Sequence, residues 1–97
     1  MALNDDPGDD PIALPFEDAL DLHAFAPRDV KEVVEAYLDE AVRRGAREVR
    51  LIHGRGIRVQ REAVRTLLSR RNDVERFADA PAERGGWGAT IVRLKPR

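Results

Sequence analysis

The residues of this chain that are able to do chemistry lie in three short stretches: Asp21 with His23, His53-Gly54-Arg55-Gly56, and Gly85-Gly86-Trp87-Gly88-Ala89-Thr90. A carboxylate beside an imidazole orients the ring and raises its basicity, as general acid–base catalysis requires. A histidine followed by a glycine turn into a helix leaves backbone N–H groups at the helix start, where they suit a phosphate. The expected site therefore holds a phosphate. The amides of Gly54 to Ile57 and the Arg55 guanidinium grip it, Arg58 adds charge, and His53 and His23 serve as general base and acid with Asp21 orienting an imidazole. Two imidazoles are sufficient for attack by an RNA 2′-hydroxyl. DNA lacks that nucleophile, so its hydrolysis points to a divalent ion, Mg²⁺ or Mn²⁺, held by Asp21 with water. No tight ligand spacing marks a resident metal site.

These residues need a scaffold that brings them together, and the sequence supplies one. Ala19-Leu20-Asp21-Leu22-His23 reads as a first strand, with Asp21 and His23 on one face. Pro27 opens a helix that runs through Arg44 to a Gly45 cap, with Val30, Val33, Val34, Tyr37, Leu38, Ala41 and Val42 forming a buried stripe. A second strand, Arg47 to His53, follows a whole helix and so lies parallel to the first. Both histidines then fall at the carboxyl ends of their strands, the edge where open α/β sheets bind ligands. A second helix, Arg58 to Arg70, turns Val59, Ala63, Val64, Leu67 and Leu68 inward and Arg58, Arg61, Arg65 and Arg70 mostly outward. Val74 to Ala80 and Ala89 to Leu94 read as antiparallel neighbours, with Phe77 anchoring the first.

Charge is distributed unevenly. Residues 1–18 carry six acidic groups and no basic one, whereas from Arg43 onward 15 basic residues face 6 acidic ones, a net of +9. Such a basic domain points to a polyanionic partner, with Arg61 and Arg65 following a phosphate backbone and the acidic tail competing for the same surface. Residues 1–18 are expected to form a disordered tail and residues 19–97 the folded domain. The chain has no cysteine and no apolar run long enough to span a bilayer, which excludes disulfide and thiolate chemistry and predicts a cytoplasmic protein with no membrane partner. Trp87, the only tryptophan, either offers a stacking surface to an unpaired base or folds back to cap the core.

In order and spacing, Leu20-Asp21-Leu22-His23, Ile52-His53-Gly54-Arg55-Gly56 and Gly85-Gly86-Trp87-Gly88-Ala89-Thr90 resemble the small MutS-related (Smr) domain over about residues 19–95. The resemblance implies a two-layer α/β sandwich, βαβαββ, with a four-stranded mixed sheet packed against two helices. It implies a stand-alone member of a family in which several proteins nick DNA or cleave RNA. It also carries the family's functional positions to Asp21, His23, His53, Gly54 and Gly56, with Gly85, Gly86 and Gly88 in the third loop. Ala24 and Arg58 stand where the family often has glycine. The expected function is nucleic-acid binding with endonuclease activity. The alternatives are a non-catalytic nucleic-acid-binding module and a protein-interaction domain.

Overall fold

The computed structural model describes residues 16–54 and 58–96, without the side chains of residues 58 and 59. The acidic stretch through Pro15 lies outside them, as do Arg55, Gly56 and Ile57. Four strands, β1 (Ala19–Asp21), β2 (Glu48–Ile52), β3 (Val74–Asp79) and β4 (Ala89–Leu94), and two helices, α1 (Val30–Arg43) and α2 (Arg58–Arg70), follow one another as βαβαββ. The sheet order is β1-β2-β4-β3. β1 runs parallel to β2, while β4 is antiparallel to both β2 and β3. This is the expected mixed four-stranded α/β sandwich.

Alternation along the strands builds the two layers. Val49 and Leu51 of β2 and Val92 and Leu94 of β4 are buried, whereas Glu48, Arg50, Ile52, Ile91 and Arg93 between them are half-exposed. The buried face meets Val30, Val34, Leu38 and Ala41 of α1 and Val64, Leu67 and Leu68 of α2 in one core, with Leu22 filling the end near β1. Helix α1 stops as the sequence requires. Gly45, at φ +78°, donates to the Val42 carbonyl (3.0 Å) and Ala46 to that of Ala41 (2.9 Å), the paired bonds of a glycine cap.

Several boundaries differ from expectation. β1 ends at Asp21, and Leu22–Ala24 form a 3₁₀ turn, because the Asp21 carboxylate accepts the His23 backbone N–H at 2.9 Å and bends the chain out of the sheet. Pro27–Asp29 form a separate 3₁₀ turn, so α1 begins at Val30 and ends at Arg43. Ala63 is exposed on α2. Phe16 to Asp18, assigned to the tail, lie on the fold: Phe16 stacks on Tyr37 at 5.3 Å, the Tyr37 hydroxyl donates to the Glu17 carbonyl, and the Asp18 carbonyl accepts from Arg50. Tyr37 is accordingly half-buried, packed beside the core.

Leu38 is fully buried at the centre of α1, so Leu38→Ala should cost about 2–5 kcal/mol of stability in chemical denaturation.

Candidate functional site

At the carboxyl end of β1 the turn brings a carboxylate onto an imidazole. Asp21 Oδ1 lies 2.7 Å from His23 Nδ1 and accepts the His23 amide as well. A carboxylate only accepts, so Nδ1 carries the proton and Nε2 presents a lone pair in the neutral ring. The His23 backbone N–H, and after it the His23 side chain, hold the Asp21 carboxyl below the usual carboxylate range. The His23 side chain is 53% exposed, and among the described residues its Nε2 has no hydrogen-bond partner.

His53, one residue beyond β2, has a different setting. It is fully buried, with Nε2 2.9 Å from Thr90 Oγ1 and Nδ1 3.3 Å from the Gly54 carbonyl. That carbonyl accepts, so Nδ1 carries the proton and Nε2 receives the Thr90 hydroxyl. Burial pushes the His53 pKa down, against a smaller rise from the Gly54 carbonyl, and the nearby Arg61 and Arg65 charges lower it further. The two histidines therefore do not face one phosphate in the same way, because His53 points under the sheet edge.

Gly54 joins the two. At φ +89° its backbone lies in the left-handed region, and a Cβ there would stand 2.7 Å from His23 Nε2. Only glycine leaves room for the imidazole on the turn. The Gly54 amide, however, donates to the Gly88 carbonyl at 2.8 Å, and the His53 amide to the same oxygen at 3.1 Å. This corrects the expectation that the Gly54 amide holds a phosphate. The remaining turn residues, Arg55 to Ile57, and the Arg58 side chain lie outside the described residues.

The third stretch is folded to receive these bonds. Gly85 and Gly86 take φ +112° and +56°, the Gly86 amide donates to the Pro81 carbonyl, and the Gly88 amide donates to that of Gly85. Gly86 and Gly88 are buried, which makes them loop-shaping residues. Trp87 between them is 54% exposed, so it does not cap the core. Arg61 and Arg65, expected along the outer face of α2, both place Nη2 2.7 Å from Asp79 Oδ1. Two parts of this arrangement have no role in the sequence analysis. Thr90 was legible as the last residue of a glycine-rich motif, whereas Asp79 carries no sequence signal. Among the described residues no group of three or more His, Asp or Glu side chains forms a metal cluster. Asp21 Oδ2 is one oxygen available to an ion otherwise held by water and substrate.

A two-layer α/β sandwich with an exposed carboxylate–imidazole pair and two glycine turns at one sheet edge defines the class. The Smr domain profile matches residues 20–95, and the chain belongs to that family. An endonuclease MutS2 of Thermus thermophilus is 38% identical over 93 residues, covering 94% of this chain and 12% of the relative. An endonuclease MutS2 of Streptococcus sanguinis is 40% identical over 76 residues, covering 78% of this chain and 10% of that protein. The chain thus spans about one-tenth of the length of these relatives. The crystal structure of the Thermus thermophilus MutS2 Smr domain superposes with a TM-score of 0.76 at 40% identity, covering 80% of this chain and 98% of that one. YdaL, a stand-alone small MutS-related protein from Escherichia coli, superposes at 0.78 with 28% identity, covering 84% and 66%. No helix among the described residues is long and apolar enough to cross a membrane.

Gly54→Ala should cost about 1–3 kcal/mol from the positive φ alone, and should move the His23 ring resonances in NMR spectra. His53 supplies a pH signature. Its folded pKa lies below the unfolded value of about 6.5, so the unfolded chain takes up the proton first. Its contribution is complete above that pH and is lost as the pH falls below it. Denaturation midpoints measured from pH 7 to 5 should decline in the native chain and decline less in His53→Asn.

Proposed function

We propose that this Smr domain is an endonuclease that binds a nucleic-acid strand across the sheet edge and cleaves its phosphodiester bond with the Asp21–His23 pair. The observation that carries this reading is the exposed His23 imidazole, fixed by Asp21 at 2.7 Å and seated on the side-chain-free Gly54 turn. His23 Nε2 accepts the proton of an RNA 2′-hydroxyl, the oxygen bonds to phosphorus, and the P–O5′ bond breaks with a proton delivered to O5′ from solvent. The product end is a 2′,3′-cyclic phosphate. On DNA the same nitrogen takes the proton of an attacking water; a Mg²⁺ or Mn²⁺ ion, if bound, would be held on the protein side by Asp21 and would supply Lewis acidity. His53 acts as a positioning residue: buried and neutral, it holds the β2 end under Thr90. Arg55, Gly56 and Arg58 are the proposed phosphate-binding residues, and the exposed Trp87 stacks on an unpaired base. The relatives described as endonucleases support this reading.

A binding module without cleavage is the second reading, favoured by the burial of His53, which leaves one of the two histidines at the surface.

The deciding experiment incubates labelled RNA and supercoiled DNA with the protein, in EDTA and in Mg²⁺ or Mn²⁺. His23→Ala should lower the cleavage rate by about 10²–10⁴-fold with binding retained. RNA fragments should end in cyclic phosphate. Salt-sensitive binding with no cleavage under any condition would select the binding module.

A further inference from the structure

Arg61 and Arg65, one turn apart on α2, both reach to the end of β3 and meet the same oxygen, Asp79 Oδ1, at 2.7 Å. Two cations thus share one carboxylate, and Glu62 touches only Arg61, at 3.5 Å from an exposed side chain. A guanidinium fork presents Nε–H and Nη–H to two oxygens, yet both Nε atoms are buried with no acceptor. The arginine side chains are largely covered, and the Arg65 guanidinium lies 5.4 Å from the centre of the Phe77 ring. The cations are therefore held in place, while the Asp79 carboxylate between them is 43% exposed. This cluster belongs to the same sheet end as the site, since Asp79 pairs with Thr90, whose hydroxyl holds His53. From β1 to β3 there are three interstrand steps of about 4.8 Å each, so the pair stands roughly 14 Å from Asp21 and His23.

We propose that Arg61 and Arg65 form a second subsite for a backbone phosphate of the bound strand, and that Asp79 is its internal competitor. The proposal rests on the nucleic-acid-binding part of the function above and is independent of cleavage. The carboxylate occupies the place of a phosphate oxygen and rotates into solvent when the strand arrives. A phosphodiester offers two charged oxygens to donors that a single carboxylate oxygen leaves half-used.

The test uses Asp79→Asn in a His23→Ala background, which keeps the strand intact. Affinity for labelled single-stranded DNA and RNA oligonucleotides is read by fluorescence anisotropy from 50 to 200 mM salt. The folded variant should bind both polymers about tenfold more tightly at 50 mM salt, with a salt slope steeper by about one. Adding Arg61→Gln and Arg65→Gln should erase the gain. Binding by the Asp79-containing protein with an unchanged or weaker Asp79→Asn affinity overturns the internal competitor. Binding by neither protein overturns the nucleic-acid reading itself. A measurement on the unsubstituted chain at Asp79 does not depend on how the variant folds: the Nε–H resonances of Arg61 and Arg65 should shift on oligonucleotide titration. Unmoved resonances at saturation overturn the subsite.

Discussion

The site depends on one carbonyl. Gly88 receives the amides of both His53 and Gly54, and through that oxygen the turn leaving β2 is tied to the loop entering β4. A buried carbonyl with two lone pairs satisfies two donors that would otherwise be lost at a strand end, where ladder bonds run out. Once those amides are fixed, Gly54 is held at positive φ beneath the His23 ring, and His53 is turned inward to Thr90. Three stretches distant in sequence become one edge because of this bond pair and the parallel pairing of β1 with β2.

The two histidines show how burial divides roles between identical side chains. His23 lies on a turn at the surface, where a carboxylate orders the ring without removing it from water. His53 has its ring nitrogens satisfied by a hydroxyl and a carbonyl, in a place where a protonated ring would lose solvation and face two arginines. The neutral ring is thus the stable form under the sheet edge, while the His23 ring stays exposed to solvent.

The strong positive count of the C-terminal half is mostly answered locally. Arg71 bridges Asp39 and Asp73, while Arg84 and Arg93 share Glu48. Pairs at the surface contribute little stability, but they decide where a positive field emerges. Arg61 and Arg65 share Asp79 at the β3 end of the sheet edge, with Glu62 3.5 Å from Arg61.

Periodicity alone determined most of the architecture. The α1 stripe, the glycine cap, the alternating β2 and β4 and the helix between parallel strands all follow from spacing, because backbone geometry makes apolar positions repeat every 3.6 or every 2 residues. The three polar stretches were equally legible, and their order identifies the Smr family. Local hydrogen bonding already blurred the ends: Asp21 captured the His23 amide and ended a strand that propensity would have continued. What spacing could not express was decided by tertiary structure. The burial of His53, the commitment of the Gly54 amide to Gly88, and the joining of Arg61 and Arg65 to Asp79 depend on partners 14 to 37 residues apart. A hydrogen bond across such separations exists only when the whole sheet edge is assembled, which is why spacing in the sequence does not express it.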